Sequence, residues 1–209
     1  SGAHGIVSSD PKNVYNTIMK YINKKTFIRS YQTIGHMGVP SLKPENTLEG
    51  AIEAYKNGAD MVEMDIYMTK DGVIVLNHDN ELLKYDENIK IESSNYDDIK
   101  SLNFKGHEGI HIPTLEQYFK EFKGKDVILV IEIKSSNSAI VPALKALLDK
   151  YDFYDQSYVI TFNGSQLINM MKHIPEVPTG YLTAAKYSES GALKELLTNV
   201  GNFNASYNP

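Results

Sequence analysis

The sequence predicts an α/β fold, a parallel sheet with helices packed outside it, and three observations point there. From residue 33 onward, β-branched runs alternate with helical periodicities, the order that βαβ units leave in a chain. The run Val127-Ile128-Leu129-Val130-Ile131 is apolar on both sides, as a strand covered on both faces must be. No repeat, low-complexity tract or linker divides the 209 residues, which suit a single domain.

The elements follow in order. Asp10 and Pro11 open a helix over 10–23, with Val14, Ile18, Tyr21 and Ile22 on one apolar stripe. Residues 1–32 are therefore expected to form an N-terminal segment with a helix, ahead of a main domain at 33–209. Strands are expected at 33–36, 61–68, 73–77, 127–134, 158–162, 179–183 and 204–207. A tight turn, Lys70-Asp71-Gly72, joins the second to the third. Helices are expected at 46–57, 96–102, 115–122, 139–150, 165–172 and 192–199. Asn46 and Glu49 are spaced as a capping box, and Gly58 stops that helix. Leu144, Leu147 and Leu148 mark the buried side of the helix at 139–150. This makes seven strands. A closed barrel of alternating strands and helices needs eight, and a doubly wound open sheet fits the alternation equally well.

Composition narrows the function. Hydrophobic residues make up 42% of the chain, enough for a real core, and aromatics are spread throughout. The formal charge is -5 without a basic block, which argues against nucleic acid as a partner. A small phosphorylated substrate stays compatible, because one metal ion outweighs a modest negative field. With no cysteine there is no disulfide, thiolate nucleophile or zinc–thiolate site. No apolar run reaches membrane-spanning length, and no signal-peptide pattern opens the chain. The opening Ser1-Gly2-Ala3-His4-Gly5 is expected to be an appended remnant rather than native sequence.

Chemistry gathers at strand ends. Glu63 and Asp65 stand two apart, so they share one face of a strand while Val62, Met64 and Ile66 share the other. If the apolar face packs on helices, two carboxylates point inward together and repel unless a cation lies between them. Their hard oxygens suit Mg²⁺ or Ca²⁺. The alternative is a half-exposed strand with ordinary surface acids. Glu132 and Lys134 repeat the spacing at the end of the buried run, where barrel folds place catalytic groups; an interior ion pair is the plainer reading. His36 and His78 both end strands and could form an acid–base pair. His4, His107, His111 and His173 are expected in loops or near helix ends. Pro44-Glu45-Asn46-Thr47-Leu48 initiates a helix right after the first strand, so Glu45 and Asn46 stand near the same mouth.

Taken in order, the pieces are His36-Met37-Gly38, Pro44 to Leu48, Gly58-Ala59-Asp60-Met61-Val62-Glu63-Met64-Asp65, Thr69-Lys70-Asp71-Gly72, His78-Asp79, Pro113-Thr114-Leu115 and Ile131-Glu132-Ile133-Lys134. This ordered set resembles the glycerophosphodiester phosphodiesterase family over about residues 33 to 183. The resemblance implies a (β/α)₈ barrel related to phosphatidylinositol-specific phospholipases. It implies hydrolysis of glycerophosphodiesters to glycerol 3-phosphate and an alcohol. It makes Glu63, Asp65 and Glu132 ligands of a divalent metal, Mg²⁺ or Ca²⁺, and His36 and His78 the general acid and base. Lys134 would face the phosphate, and Glu45 and Asn46 would belong to the substrate-binding loop.

Two departures qualify it. The family usually has arginine after the first histidine, and here Met37 cannot grip phosphate in a bidentate fashion. Methionine there is also similar to sphingomyelinase D type lipases, although Pro44 to Leu48 and the Thr69 to Gly72 turn favour the phosphodiesterases. The family's last strand usually carries tryptophan, and this chain has none. It stops at Pro209, about one strand and two helices short of a full barrel. The expectation is therefore an incomplete barrel of about seven strands, with truncation, another chain or an oligomer accounting for the open seam. The alternative function is a metal- or lipid-headgroup-binding domain with weakened turnover. The resemblance is greatest to a branch attached to a bacterial membrane domain. That implies a membrane-associated or extracytoplasmic setting and a glycerophosphodiester or lipid headgroup as partner.

Overall fold

The computed structural model describes residues 5–8, 32–183 and 204–207. The helices expected at 10–23 and 192–199 lie outside them. The strands are β1 (Gly5–Ser8), β2 (Gln32–Gly35), β3 (Met61–Met68), β4 (Ile74–Leu76), β5 (Asn103–Phe104), β6 (His107–His111), β7 (Ile128–Ile133), β8 (Ser157–Thr161), β9 (Thr179–Thr183) and β10 (Asn204–Tyr207). The helices are α1 (Leu48–Lys56), α2 (Tyr96–Ile99), α3 (Leu115–Phe122), α4 (Ile140–Tyr151) and α5 (Gly164–His173).

One sheet dominates, in the order β1-β2-β3-β7-β8-β9-β10, and every neighbour on that path is parallel. Among the described residues it curls as a partial barrel of seven parallel strands. Two details differ from the sequence expectation. The strand expected at 73–77 is β4, which pairs antiparallel with the end of β3 and is not a barrel stave. The short turn through Asp71 and Gly72 requires this, because parallel strands need a long crossover. The seventh parallel strand is instead β1, in register with β2 from Gly5↔Gln32 to Ser8↔Gly35.

Burial follows the two-residue alternation of the strands. Val62, Met64 and Ile66 of β3 and Leu129, Ile131 and Ile133 of β7 face outward into the main core. The helices meet them with amphipathic faces: Tyr118, Phe119 and Phe122 from α3, and Ile140, Val141, Leu144 and Leu148 from α4. Phe119 stacks on Phe153 with ring centroids 4.3 Å apart. Thr114 and Gln117 form a capping box that starts α3.

The inward faces are layered by depth. Val130, Ile160 and Leu182, with Ile34, Met61 and Tyr158 against them, make an apolar plug. Two residues further along their strands come Glu63, early in β3, and Glu132, near the carboxyl end of β7 where barrel folds build their sites. Between β3 and α3 lies an insertion with a small core of its own, Val75, Leu82, Tyr85, Ile91, Ile99 and Ile112. It contains the hairpin β5–β6, which holds His107 and His111.

Candidate active site

Register assembles the acids. Asp65 of β3 lies directly beside Glu132 of β7 in the parallel ladder, and Glu63 is one inward position below Asp65. All three carboxylates are buried, at 4%, 2% and 8% exposure for Glu63, Asp65 and Glu132. One oxygen from each lies within 4.8 Å of the other two. Lys134 Nζ stands 3.3 Å from Glu132 Oε1 and 3.7 Å from Asp65 Oδ1. It makes no ion pair with Glu63. Glu63 Oε2 accepts the backbone N–H of Met37 at 2.8 Å. Its other oxygen, Oε1, is buried with no hydrogen-bond partner among the described residues.

The electrostatics follow from that crowding. Burial, then the charge of Asp65, pushes Glu63 well above the usual carboxylate range, against the pull of the Met37 amide. Glu132 is raised by the same two causes, with Lys134 opposing them. For Lys134 burial favours the neutral amine, but Glu132 and Asp65 outweigh it and hold the ammonium charged. Three converging carboxylates with one lysine and an unsatisfied buried oxygen are short of positive charge. A divalent cation taking hard oxygen donors fits this set, and the unpartnered Glu63 Oε1 is the observation that marks the fit.

The histidines flank the acids. His36 follows β2, with Nε2 3.8 Å from Glu63 Oε2. Burial lowers its pKa, Asp65 opposes this, and His78 adds to the lowering, which places the two rings within electrostatic reach. His78 Nδ1 is 2.9 Å from Asp79 Oδ1, and its Nε2 is 3.4 Å from Lys134 Nζ. The turn carrying His36 is tightly packed. Gly38 adopts φ +85°, and a Cβ there would sit 2.9 Å from the Gly50 carbonyl carbon of α1.

The capping of α1 differs from that expected, and no Asn46–Glu49 capping box forms. Its cap is Thr47, whose Oγ1 accepts from Gly50 N at 3.1 Å, and not Asn46. Asn46 lies just outside the helix at φ +53°, a conformation asparagine tolerates. From there its amide grips Asp65 twice: Nδ2 donates to Asp65 Oδ2 at 2.9 Å, and Oδ1 accepts Asp65 N–H at 2.9 Å. Glu45 pairs with Lys84 of the insertion. Sequence reasoning misses this Asn46–Asp65 clamp, the Met37 backbone donor, and Glu92 in the insertion, which bonds Asn80 and Ser135. An Asn in a Pro-Glu-Asn-Thr turn ahead of a helix is the available hint, since such residues adopt left-handed conformations.

Fold and site together define a (β/α)-barrel protein with an acidic triad, two histidines and a lysine at the mouth of its strands. The chain belongs to the glycerophosphoryl diester phosphodiesterase family, whose model matches residues 36–207. A glycerophosphodiester phosphodiesterase of Caldanaerobacter subterraneus subsp. tengcongensis is 30% identical over 159 residues, 71% of this chain and 65% of the relative. One of Bacillus subtilis is 28% identical over 191 residues, 79% of this chain and 65% of the relative. The chain thus spans just under two thirds of the length of these curated relatives. Among solved structures, an Oleispira antarctica phosphodiesterase in complex with the product sn-glycerol-3-phosphate matches with a TM-score of 0.70 at 25% identity. The match covers 79% of this chain and 71% of that one.

Proposed function

We propose that this domain hydrolyses glycerophosphodiesters to glycerol 3-phosphate and an alcohol, with Glu63, Asp65 and Glu132 holding a divalent cation. The observation that carries the proposal is the buried acid triad with its unpartnered Glu63 Oε1, set between His36, His78 and Lys134. Family membership and the product named for the Oleispira relative supply the substrate class. A bound divalent cation would neutralise phosphate charge and offset the crowding of the acids.

The chain's own residues then divide the work. The glycerol hydroxyl next to the phosphodiester attacks phosphorus and expels the alcohol, leaving a cyclic phosphate that water opens. His36 takes the hydroxyl proton: its burial favours the neutral imidazole that a base must be. His78, its ring oriented by Asp79, returns a proton from Nε2 to the departing alkoxide once Lys134, which can only donate, has turned from that nitrogen to the phosphate. Lys134, kept charged by its two carboxylates, faces the phosphate oxygens as negative charge gathers there. Asn46 orients Asp65 with one N–H and the oxygen of its amide, which leaves its second N–H for substrate.

The test is release of glycerol 3-phosphate from glycerophosphocholine with Mg²⁺ or Ca²⁺ added, against His36→Ala as control. Turnover well above the control supports the proposal. Cation binding without turnover leaves the second reading, a headgroup-binding domain, which Met37 favours because it provides no guanidinium for the phosphate. Phosphorus NMR of the product separates a hydrolase from a lyase that stops at the cyclic phosphate.

A further inference from the structure

We infer that Glu92, in the insertion and outside the acid triad, is a positioning residue that sets the spacing of His78 and Lys134. This inference rests on the catalytic reading above. The two side chains come from separate parts of the chain. His78 lies in the segment after β4, and Lys134 follows β7. Among the described residues, no strand ladder joins those two segments beyond Ile133. Asn77 N–H and Lys134 N–H each bond the β3 backbone, at the Asp65 and Ile66 carbonyls, and beyond those anchors a carboxylate bridges the two segments.

Glu92 sits in a short 3-10 turn, Ile91–Ser93. On one side it holds Asn80, two residues beyond His78, by a reciprocal pair. Asn80 Nδ2 donates to Glu92 Oε2 at 2.9 Å, and Glu92 N–H donates to Asn80 Oδ1 at 3.1 Å. The neighbouring Ile91 N–H adds a bond to the Asn80 carbonyl at 2.8 Å. On the other side, Glu92 Oε1 accepts from the hydroxyl of Ser135, the residue directly after Lys134. Ser135 is fully buried. Its carbonyl is in turn held by Gln166 Nε2 of α5 at 2.9 Å, and its Oγ accepts from Asn137 N–H at 3.1 Å. Both oxygens of Glu92 are therefore engaged inside the protein, one on each catalytic segment.

The consequence is geometric. Charge-assisted bonds are stronger and more directional than neutral ones, so a carboxylate bridging two loops restrains their separation. The loops carry the His78 Nε2 and Lys134 Nζ that stand 3.4 Å apart. Loss of the bridge lets the imidazole and the ammonium drift relative to the phosphate. A misplacement of about 1 Å costs on the order of 10²-fold in rate. The acid triad is not part of this bridge: Asp65 is held by Asn46, and Glu63 by the Met37 amide. Cation binding should survive.

The experiment compares Glu92→Ala, Glu92→Gln and Ser135→Ala with the unmodified chain. Its readouts are kcat and KM on glycerophosphocholine, Mg²⁺ and Ca²⁺ affinity by calorimetry, thermal unfolding, and the ¹H–¹⁵N signals of the His78 ring. Glu92→Ala is expected to lower kcat by about 10²-fold with KM changed less than about threefold. Cation affinity should hold, and the His78 signals should shift or broaden. Glu92→Gln, which keeps an acceptor for Ser135, should recover part of kcat. Ser135→Ala should fall between them, and Glu92→Ala/Ser135→Ala should be no worse than Glu92→Ala alone. A folded Glu92→Ala with normal kcat and unmoved His78 signals overturns the inference. So does an equal loss of cation affinity and kcat. If Glu92→Ala does not fold, the same criteria apply to Ser135→Ala. If the unmodified chain shows no turnover, the catalytic reading fails. The His78 signals still decide whether Glu92 positions that ring.

Discussion

Replacing Glu63 with glutamine is expected to stabilise the cation-free protein while abolishing strong cation binding. Glu63 carries the least compensated of the three charges: Lys134 reaches Glu132 and Asp65 but not Glu63, and Glu63 Oε1 has no partner among the described residues. At 4.8 Å, the outer separation of the triad oxygens, and an effective dielectric of about 20, two unit charges repel by about 3.5 kcal/mol. Lys134 offsets part of this for the cluster as a whole, so neutralising Glu63 should gain about 1–2 kcal/mol. For a chain of this size that is about 2–8 °C in Tm. The amide carbonyl of a glutamine at this position would still accept from the Met37 N–H, so no hydrogen bond is lost against the gain. The sign depends on pH. The folded-state pKa of Glu63 lies above its unfolded value, so the proton it binds favours folding. That contribution is complete below the unfolded pKa and is lost as pH rises through the folded one. The advantage of Glu63→Gln should thus be small near pH 4 and widen through neutrality. Thermal unfolding by circular dichroism in EDTA between about pH 4 and 8 measures it. Cation at about 100 times its Kd should then reverse the order, adding about 2.7 kcal/mol to the unmodified protein alone. A glutamine variant no more stable than its parent at about pH 8 in EDTA would refute the claim that the triad is electrostatically strained without its cation.

Four further outcomes are expected. His36→Ala and His78→Ala should each lower kcat/KM by about 10²–10⁴-fold with cation affinity little changed, measured by product release and calorimetry. Asn46→Ala removes the two amide bonds to Asp65 and should weaken cation affinity by about 10–100-fold, read by calorimetric titration. Met37→Arg should raise kcat/KM by about tenfold or more through a charge-assisted phosphate contact, read by steady-state kinetics. Glu116, bonded to Lys150 and Tyr151, is held down at about pKa 2, so its stabilising effect is present at neutral pH and lost as pH falls from about 4 toward 2. Because that carboxylate is a third exposed, solvent screening limits the effect, and Glu116→Gln should cost less than about 1 kcal/mol in denaturant unfolding at about pH 7.

The parts of the site that lie on long strands are legible in the sequence. Two-residue spacing puts Glu63 and Asp65 on one face, and the burial of Val62, Met64 and Ile66 on the other follows from the same alternation. What alternation cannot give is register between strands. The pairing of Asp65 with Glu132 depends on Met61 meeting Ile128, which no local pattern encodes. The insertion is largely illegible for another reason. Its elements are short, as with Asn103–Phe104 and His107–His111, and they persist through tertiary contacts such as Tyr85 against Phe104. The direction of β4 is legible after all: the connection from Thr69 to Val73 is too short for a parallel crossover and demands a hairpin.

Met37 shows how a site can change one contact without losing its frame. The position serves the site through its backbone. Its N–H donates to Glu63, its carbonyl accepts from Asn46 N–H at 3.0 Å, and its φ is +51°. These bonds link the first-histidine turn to the acid on β3 and to the residue that clamps Asp65, and none of them uses the side chain. Because these bonds are made by the backbone, they hold the triad, His36 and the α1 loop in register whatever the side chain at 37 contributes. On the function proposed above, the side chain at 37 is expected to bear on phosphate affinity. A site weakened in this way should retain its cation and its acid–base pair, and it should respond to Met37→Arg. A site that had decayed more broadly would not respond.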